Sequence, residues 1–240
     1  MKRYFFGKKT VEYYKGLLVK ADLGLHGQIA DKLIQHLPLG SRILDFGCGE
    51  GALSQRLSDL GYSVIAADMN YNDFKAKGIE FKKIDFNQRD EVETFLRTNE
   101  NGFDAVLSIE VIEHIHNPWQ YLDDLIKMLK SGGYILITTP NTTSWLSRFI
   151  FLFNGRFHQF EDGDLEYGHI APITPWELNI IMREKQLKNI EFQEAGTLPP
   201  VYFTGFNKLL IVNILALMLR PAMKGHIDGW CIMATARKPI

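Results

Sequence analysis

The stretch Ile43-Leu44-Asp45-Phe46-Gly47-Cys48-Gly49-Glu50-Gly51-Ala52 decides the fold of this 240-residue chain. An apolar run ends at Phe46, glycines follow at alternate positions, and a helical pattern begins at Ala52. Glycine is needed in such a turn because the backbone bends tightly and lets a ligand approach without a Cβ in the way. The stretch therefore predicts a strand, a ligand-binding loop and a helix.

Outward from this stretch, short apolar or β-branched runs alternate with segments of helical periodicity. The runs predict strands at Arg42–Phe46, Ser63–Asp68, Glu80–Ile84, Ala105–Ser108 and Tyr134–Thr138. The helical segments are Ala52–Leu60, Arg89–Arg97 and Pro118–Leu129, the last with a helix stop at Leu129-Lys-Ser-Gly-Gly. Strands that are apolar on both faces and separated by helices predict an α/β fold, with a mostly parallel sheet covered on both faces.

We expect a single domain over residues 1–240, because no repeat, low-complexity tract or linker interrupts the chain. Its predicted parts are N-terminal helices (1–39, with the helical pattern at 10–37), a core (40–141), a lid-like insertion (142–173) and a C-terminal part (174–240). The insertion contains an aromatic helix, Trp145–Phe153, and a helix begins at Thr174-Pro175. The C-terminal part is predicted to add closing strands at Asn189–Gln193 and Trp230–Arg237.

The composition excludes several classes of protein. With 27 Lys+Arg against 28 Asp+Glu the net charge is −1, so sequence-independent nucleic-acid binding is disfavoured. Cys48 and Cys231 are too few for a Cys-rich zinc site and indicate a reducing compartment. The start of the chain lacks the apolar core of a secretory signal, and the apolar run Leu209–Leu219 is too short to span a bilayer. We expect a cytoplasmic protein.

Charge around the glycine turn favours one kind of ligand. Gly47-x-Gly49-x-x-Ala52 also fits the dinucleotide fingerprint, whose ligand places a pyrophosphate against the loop. Asp45 before the loop and Glu50 within it would repel that group, whereas Asp45 would attract an ammonium. S-adenosylmethionine carries an ammonium and a sulfonium and has no phosphate.

Four ordered motifs then carry a family resemblance. Asp45-x-Gly47-x-Gly49-x-Gly51 resembles the first motif of class I S-adenosylmethionine-dependent methyltransferases. Acids fall where that family places them, at Asp68 after the second strand and at Asp85-Phe86 after the third. The end of the fourth strand, Phe103–Ile115, is most similar to the branch with ubiquinone-biosynthesis O-methyltransferases. The resemblance implies a Rossmann-like, seven-stranded methyltransferase sheet and methylation of a small-molecule acceptor, most often at a hydroxyl oxygen.

The resemblance also implies which residues form the site. The residues expected to bind S-adenosylmethionine, or S-adenosylhomocysteine as product, are Asp45, Gly47, Cys48, Gly49, Asp68, Met69, Asp85, Phe86, Ile109 and Glu110. Asp68 is expected at the ribose hydroxyls and Asp85 at the adenine amine. Taken singly, Asp68 could equally be a helix cap and Asp85 a turn former.

Two histidines are the candidate catalytic residues. His114 follows the fourth strand beside the expected methyl donor, and His169 precedes the Thr174 cap, where related enzymes shape the acceptor pocket. An imidazole can accept a hydroxyl proton near neutral pH. His169 could instead be a loop hydrogen-bonder, and His116 is expected to be structural.

A divalent cation is a further option at Glu110-x-x-Glu113-His114. Some of the resembled quinone-pathway enzymes bind a cation with this arrangement, and carboxylates with an imidazole suit a metal. Many other members carry a similar string without a metal. We therefore leave the metal unknown and do not favour metal dependence.

Two other functions stay open at this stage. One is an NAD-dependent oxidoreductase, although neither Tyr121 nor Tyr134 has the Lys of a Tyr-x-x-x-Lys pair. The other is a non-catalytic, methyltransferase-like binding protein. The apolar segments Trp145–Phe153 and Leu209–Leu219 leave a core role, a homodimer, a pocket roof and peripheral membrane contact open as well.

Overall fold

The computed structural model describes residues 11–198 and 208–240. In these ranges the chain forms a two-stranded hairpin and a seven-stranded sheet with helices. The strands are β1 (Tyr13–Tyr14), β2 (Leu17–Leu18), β3 (Arg42–Phe46), β4 (Ser63–Asp68), β5 (Glu80–Lys83), β6 (Phe103–Ile109), β7 (Leu129–Pro140), β8 (Lys188–Ala195) and β9 (Cys231–Arg237). The helices are α1 (Leu25–His36), α2 (Ala52–Asp59), α3 (Arg89–Asn99), α4 (Pro118–Met128), α5 (Trp145–Asn154), α6 (Pro175–Glu184) and α7 (Lys208–Leu219).

The large sheet has the order β5-β4-β3-β6-β7-β9-β8. Strands β3 to β7 pair in parallel, and β9 runs antiparallel to both β7 and β8. The chain proceeds from β3 to β4 and β5 on one side and then returns to place β6 on the other. The carboxyl ends of β3 and β6 therefore flank a topological switch point, where open α/β sheets bind ligands.

Alternating side chains of the strands pack into two helical layers. In β3, Leu44 and Phe46 join the apolar cluster formed with α3, α4 and α6, whereas Ile43 joins the cluster formed with α1 and α2. The period of two along an extended strand explains this alternation. The predicted α/β sheet with helices on both faces is confirmed.

The leading segment differs from the predicted run of helices. Residues 13–18 form a hairpin in which Tyr13 pairs with Leu18, and one helix, α1, follows. The hairpin turn has Lys15 at φ 49° and Gly16 at φ 83°. Two central residues with positive φ are typical of the two-residue turns that join antiparallel strands, so this local geometry replaced the predicted helix. Residues 1–10 of that prediction lie outside the described ranges.

The helix stop predicted after α4 is present, but neither Gly132 nor Gly133 caps the helix. The helix ends at Met128, and Leu129 is already extended, at φ −75° and ψ 139°. Leu129 is fully buried and pairs with Phe103, so burial favours the start of a strand at this position. Gly132, at φ 72°, lies inside the long strand β7.

The other predicted elements are present with small shifts of their ends, except that β7 begins at Leu129 and not at the predicted Tyr134. The segment 142–173 contains α5, capped by the Ser144 hydroxyl, and a 3₁₀ turn at Asp162–Tyr167. Thr174 caps α6 and Pro175 is its first residue, as predicted. None of the described helices has the length and apolar character needed to cross a membrane.

Candidate active site

The glycine loop after β3 has no room for side chains at two positions. Gly47 has φ 98°, and a Cβ built on it would lie 2.2 Å from Val111 Cγ2. Gly51 has φ 87°, and its Cβ would lie 2.7 Å from the ring of Phe74 and from Ala76 Cβ. Both the positive φ and the close approaches require glycine. At these two positions the loop at the switch point therefore consists of backbone without a side chain.

The two acids of the loop, Asp45 and Glu50, do not both present a free charge to the ligand, as the charge argument from the sequence assumes. Asp45 is 1% exposed and accepts a 2.5 Å hydrogen bond from the Ser54 hydroxyl, so it lies beneath the loop. Burial raises the pKa of Asp45 to about 6. Glu50 accepts hydrogen bonds from Lys75 Nζ and from the Leu18 amide. Glu50 is thus paired, and its charge does not account for exclusion of a pyrophosphate.

Asp68, at the end of β4, connects the strand to the loop. One carboxylate oxygen accepts from the Gly49 amide at 2.9 Å and the other from the Asn70 amide at 3.0 Å. Met69 is exposed beside it. The Cys48 thiol is buried, and burial raises its pKa. Gly49 and Asp68, two of the residues predicted to bind the cofactor, are therefore brought together.

Asp85 and Phe86 follow β5 at the same edge of the sheet. Asp85 accepts a hydrogen bond from the Asn87 amide at 3.0 Å, which is the geometry of a turn-forming aspartate. The ring of Phe86 packs on Phe46 with 4.0 Å between centroids. Both residues thus hold the edge of the sheet next to the loop.

The end of β6 carries Ile109 and Glu110. Ile109 is buried, whereas Glu110 has φ 54°, an unusual value for a residue with a Cβ. The Glu110 amide donates to the Thr138 carbonyl at 3.1 Å, and its carboxylate accepts from the Cys231 thiol at 3.3 Å. Burial, with Glu110 close by, raises the pKa of Cys231 well above its usual range. The strained backbone turns Glu110 into the cavity described below.

Two histidine rings meet just beyond Glu110. His114 and His169 contact edge to face, with 5.0 Å between centroids. Burial, and secondarily the neighbouring His169, lower the pKa of His114, which favours its neutral imidazole. His169 Nδ1 lies 2.7 Å from the Gln159 carbonyl, which can only accept, so Nδ1 carries a proton and Nε2 is the acceptor in the neutral ring.

Backbone hydrogen bonds to Glu113 hold the insertion next to this histidine pair. Its carbonyl accepts hydrogen bonds from the Ile170 and Ala171 amides at 3.0 and 2.9 Å, which places His169 against His114. Its carboxyl is fully buried and accepts from the Thr139 hydroxyl at 3.1 Å. Burial, and then the Glu110 charge, raise the pKa of Glu113 well above its usual range.

A cavity of about 410 Å³ opens between the end of β6, the leading segment and the insertion. Of the residues predicted for the site or for the optional metal, Glu110, Glu113, His114 and His169 line it. The lining residues that the sequence did not single out for the site are Val11, Glu12, Val19, Lys20, Ala21, Asp22, Leu23, Gln159 and Trp230. They come from segments far apart in the chain and follow no local motif, so no sequence signal identifies them.

The same cavity contains a compact set of metal-type donors. Ligand atoms of Glu113, His114 and His169 all lie within 4.8 Å of one another. One carboxylate and two imidazoles form a donor set that divalent transition metals accept. Glu110, the first acid of the predicted string, is outside this set of three and instead accepts from Cys231.

Comparison with known proteins agrees with this geometry. A family model described as a methyltransferase domain matches residues 24–191, well over half of the chain. The chain belongs to the methyltransferase domain family. The interpretation as a class I S-adenosylmethionine-dependent methyltransferase is confirmed, and the oxidoreductase alternative is not supported.

Relatives identified by sequence carry a more specific name. The chain is 38% identical over 136 residues to the mitochondrial ubiquinone biosynthesis O-methyltransferase of Dictyostelium discoideum, and the match covers 50% of this chain and 42% of the relative. It is 36% identical over 107 residues to the ubiquinone biosynthesis O-methyltransferase of Caulobacter vibrioides, covering 43% and 42%. The chain thus spans less than half the length of these two relatives.

Solved structures share the fold of the methyltransferase. A SAM-dependent methyltransferase from Archaeoglobus fulgidus superposes with a TM-score of 0.58 at 19% identity, covering 89% of this chain and 94% of the other. The phosphoethanolamine N-methyltransferase 2 of Haemonchus contortus, in complex with S-adenosyl-L-methionine, gives 0.58 at 16% identity, covering 92% and 54%. At these identities the similarity shows the fold alone.

Proposed function

We propose that the protein transfers the methyl group of S-adenosylmethionine to a hydroxyl oxygen of a small-molecule acceptor. The observation that carries the proposal is the histidine-lined cavity at the end of β6, whose lining residue Lys20 also lies against the glycine loop, with its Cδ 3.4 Å from the position of a Cβ at Gly49. The names of the relatives support oxygen as the acceptor atom.

The loop residues fit the methyl donor. The Cβ positions of Gly47 and Gly51 are filled by Val111 and by Phe74 with Ala76, so only glycine gives the loop this backbone conformation. Asp68, already hydrogen-bonded to Gly49, is positioned for the ribose hydroxyls. Phe86 and Asp85 would hold the adenine, and Glu110 would face the aminoacyl end from the cavity side. When bound, the donor supplies an activated methyl group, so the protein has to align the acceptor oxygen and remove its proton.

We assign the proton acceptor role to His114. Its neutral imidazole lies in the cavity, and a phenolic or similar hydroxyl must lose a proton as its oxygen is methylated. His169, oriented by the Gln159 carbonyl, would hold the acceptor or the His114 ring from the insertion side. The insertion thereby acts as the roof of the acceptor site.

The proposed partners follow from charge and exposure. The net charge of −1 supports a small-molecule acceptor over nucleic acid. The proposed location is cytoplasmic and peripheral to a membrane, because α5 and α7 expose apolar side chains. A homodimer through the same helices is the competing arrangement.

A metal-assisted reaction is the second candidate, favoured by the Glu113, His114 and His169 donor set. A bound divalent cation would polarise the acceptor hydroxyl, in place of proton removal by a free imidazole. Strong chelators separate the two. Loss of transfer that magnesium or manganese restores would establish the metal, whereas unchanged transfer supports His114 as the base.

The proposal is tested with radiolabelled S-adenosylmethionine. Incubation with a catechol acid as probe, and in parallel with a metabolite and lipid extract, should yield a labelled product whose methyl ether resists mild base. Binding of S-adenosylhomocysteine is measured on the same preparation. Cofactor binding without label transfer to any acceptor pool would contradict the proposal and favour a non-catalytic binding protein.

A further inference from the structure

Helices α5 and α7 together present a large apolar surface. Leu217 of α7, and Met223 just beyond its end, pack against the buried cluster Trp145, Leu146 and Phe149 of α5. The outward side chains of the two helices, here named the α5/α7 surface, are each at least 45% exposed. They are Phe151, Leu152 and Phe153 of α5 and Ile211, Ile214, Leu215, Met218 and Leu219 of α7.

This surface differs from the outer face of an ordinary helix. Surface helices normally turn polar residues to water, whereas α7 has one polar residue, Asn213, between Lys208 and Arg220. Single exposed apolar side chains are common, but a cluster of this kind marks a contact with a partner or a membrane. Helix α7 also lies beyond residue 191, where the family match ends, so the common methyltransferase core does not explain it.

The charges around the surface identify the partner. The stretches 142–160 and 199–227 contain no Asp or Glu, although the whole chain has 28. Their charged residues are all basic: Arg148, Arg156, Lys208, Arg220 and Lys224. Arg156 and Arg220 pair with Asp162 and Asp228 from outside these stretches.

Arg148 and Lys224 are left with an uncompensated positive charge. Arg148 donates to the Lys224 carbonyl, and within residues 11–198 and 208–240 neither side chain has a carboxylate at ion-pair distance. Apolar side chains ringed by cations suit the headgroup region of an anionic bilayer. In a two-fold dimer through this surface, the same cations would face one another, which is unfavourable.

We propose that the α5/α7 surface docks on an anionic lipid bilayer, with α7 lying in the plane of the interface. Twelve residues of helix are too short to cross the hydrocarbon core but long enough to bury one apolar face in it. The surface is separate from the methyl-transfer residues. Docking and cofactor binding can therefore fail independently in an experiment.

Vesicle co-sedimentation of the full chain tests this proposal. Phosphatidylcholine vesicles are compared with vesicles in which about a third of the lipid is phosphatidylglycerol. The wild-type protein should pellet with the anionic vesicles, and added salt should release part of it because the basic ring contributes. The double variant Phe153→Glu with Met218→Glu should lower the lipid affinity by about tenfold or more.

The matched control is Ile34→Glu, which places the same charge at an exposed apolar site on α1 and should leave binding unchanged. Thermal unfolding and S-adenosylhomocysteine binding report that each variant is folded. Wild-type protein that stays in the supernatant with both vesicles would overturn the proposal. A second result would also overturn it: a wild-type dimer in solution that becomes a monomer in the double variant and stays a dimer in Ile34→Glu. The α5/α7 surface would then contact a second copy of the chain.

Discussion

The two halves of the carboxyl edge of the sheet are built in different ways. At β3, β4 and β5, the residues next to the proposed donor site come from the continuous stretch 45–86, each at the end of its own strand. Beside β6, the cavity collects residues from 11–23, 110–114, 159–169 and Trp230. Changes in the first half should therefore alter donor binding, whereas changes at the two histidines of the second half should alter transfer while donor binding is kept.

The largest effect is expected in the second half, for His114→Ala. Loss of the proton acceptor should lower kcat by about a hundredfold or more, with little change in the affinity for S-adenosylhomocysteine. His169→Ala should lower kcat less and raise the KM of the acceptor. The control His116→Ala, at an exposed position two residues away, should retain activity. A fall in donor affinity for His114→Ala equal to its fall in kcat would contradict the claim that His114 acts in transfer and not in donor binding.

The next effect is expected in the first half, for Gly47→Ala. The new Cβ would meet Val111 Cγ2 at 2.2 Å, so the loop has to shift. We expect S-adenosylhomocysteine affinity to fall by about 30-fold and stability by about 2–3 kcal/mol. Gly61→Ala is the matched control, because Gly61 has nearly the same φ, 96°, with nothing within 4 Å of its Cβ.

Gly61→Ala should cost about 1 kcal/mol from backbone strain alone and leave donor binding intact. Calorimetric binding and thermal unfolding of both variants separate the two contributions. Equal losses of donor affinity in the two variants would mean that the close approach at Gly47 plays no part.

A smaller effect is expected for Asp68→Asn. The amide can still accept one hydrogen bond, but the charge-assisted bonds to the ribose are lost, so donor affinity should fall by about tenfold. Asp90→Asn, at an exposed position in the first turn of α3, should bind the donor as the wild type does. Unchanged affinity for Asp68→Asn would leave Asp68 as a support of the Gly49 amide only.

The smallest effect is expected in the pH dependence of the stability, through the buried His26 of α1. Burial, and secondarily Arg56, lower the pKa of His26 to about 4 in the folded protein. As the pH falls, His26 is therefore protonated in the unfolded state at a higher pH than in the folded state. The stability that depends on neutral His26 is present above pH 6.5 and is lost as the pH falls from 6.5 towards 4. Relative to His26→Gln, the wild type should lose about 1 kcal/mol between pH 7 and pH 5.5.

Denaturant unfolding at the two pH values measures this difference. Asp45, whose pKa is raised to about 6, has the opposite sign and gains stability as the pH falls, so only the comparison of the two proteins isolates His26. Parallel curves for wild type and His26→Gln would show that His26 is not the group responsible.

The sequence predicted the first half well because its signals are local. The strands β3 and β4 begin and end at the predicted residues, and Gly47 and Gly51, at which this half has no room for a Cβ, both belong to the motif. The charge argument was less accurate. Glu50 is neutralised by Lys75, a contact between residues 25 apart that the composition of the loop does not reveal.

The second half was harder to predict because it depends on contacts between distant segments. His114 and His169 were identified as candidates, but the Glu113 carbonyl that brings the two together has no sequence signature. The Lys15-Gly16 turn lies in the segment for which the sequence predicts helices, and that segment supplies one wall of the cavity. Trp230 was expected only as the first residue of a closing strand.

Calorimetric titration of the wild-type protein with S-adenosylhomocysteine and, separately, with NADH tests the central claim most directly. The predicted result is binding of S-adenosylhomocysteine that is weakened about 30-fold in Gly47→Ala and kept in Gly61→Ala, with no binding of NADH. Binding of NADH that depends on Gly47, with none of S-adenosylhomocysteine, would contradict the account.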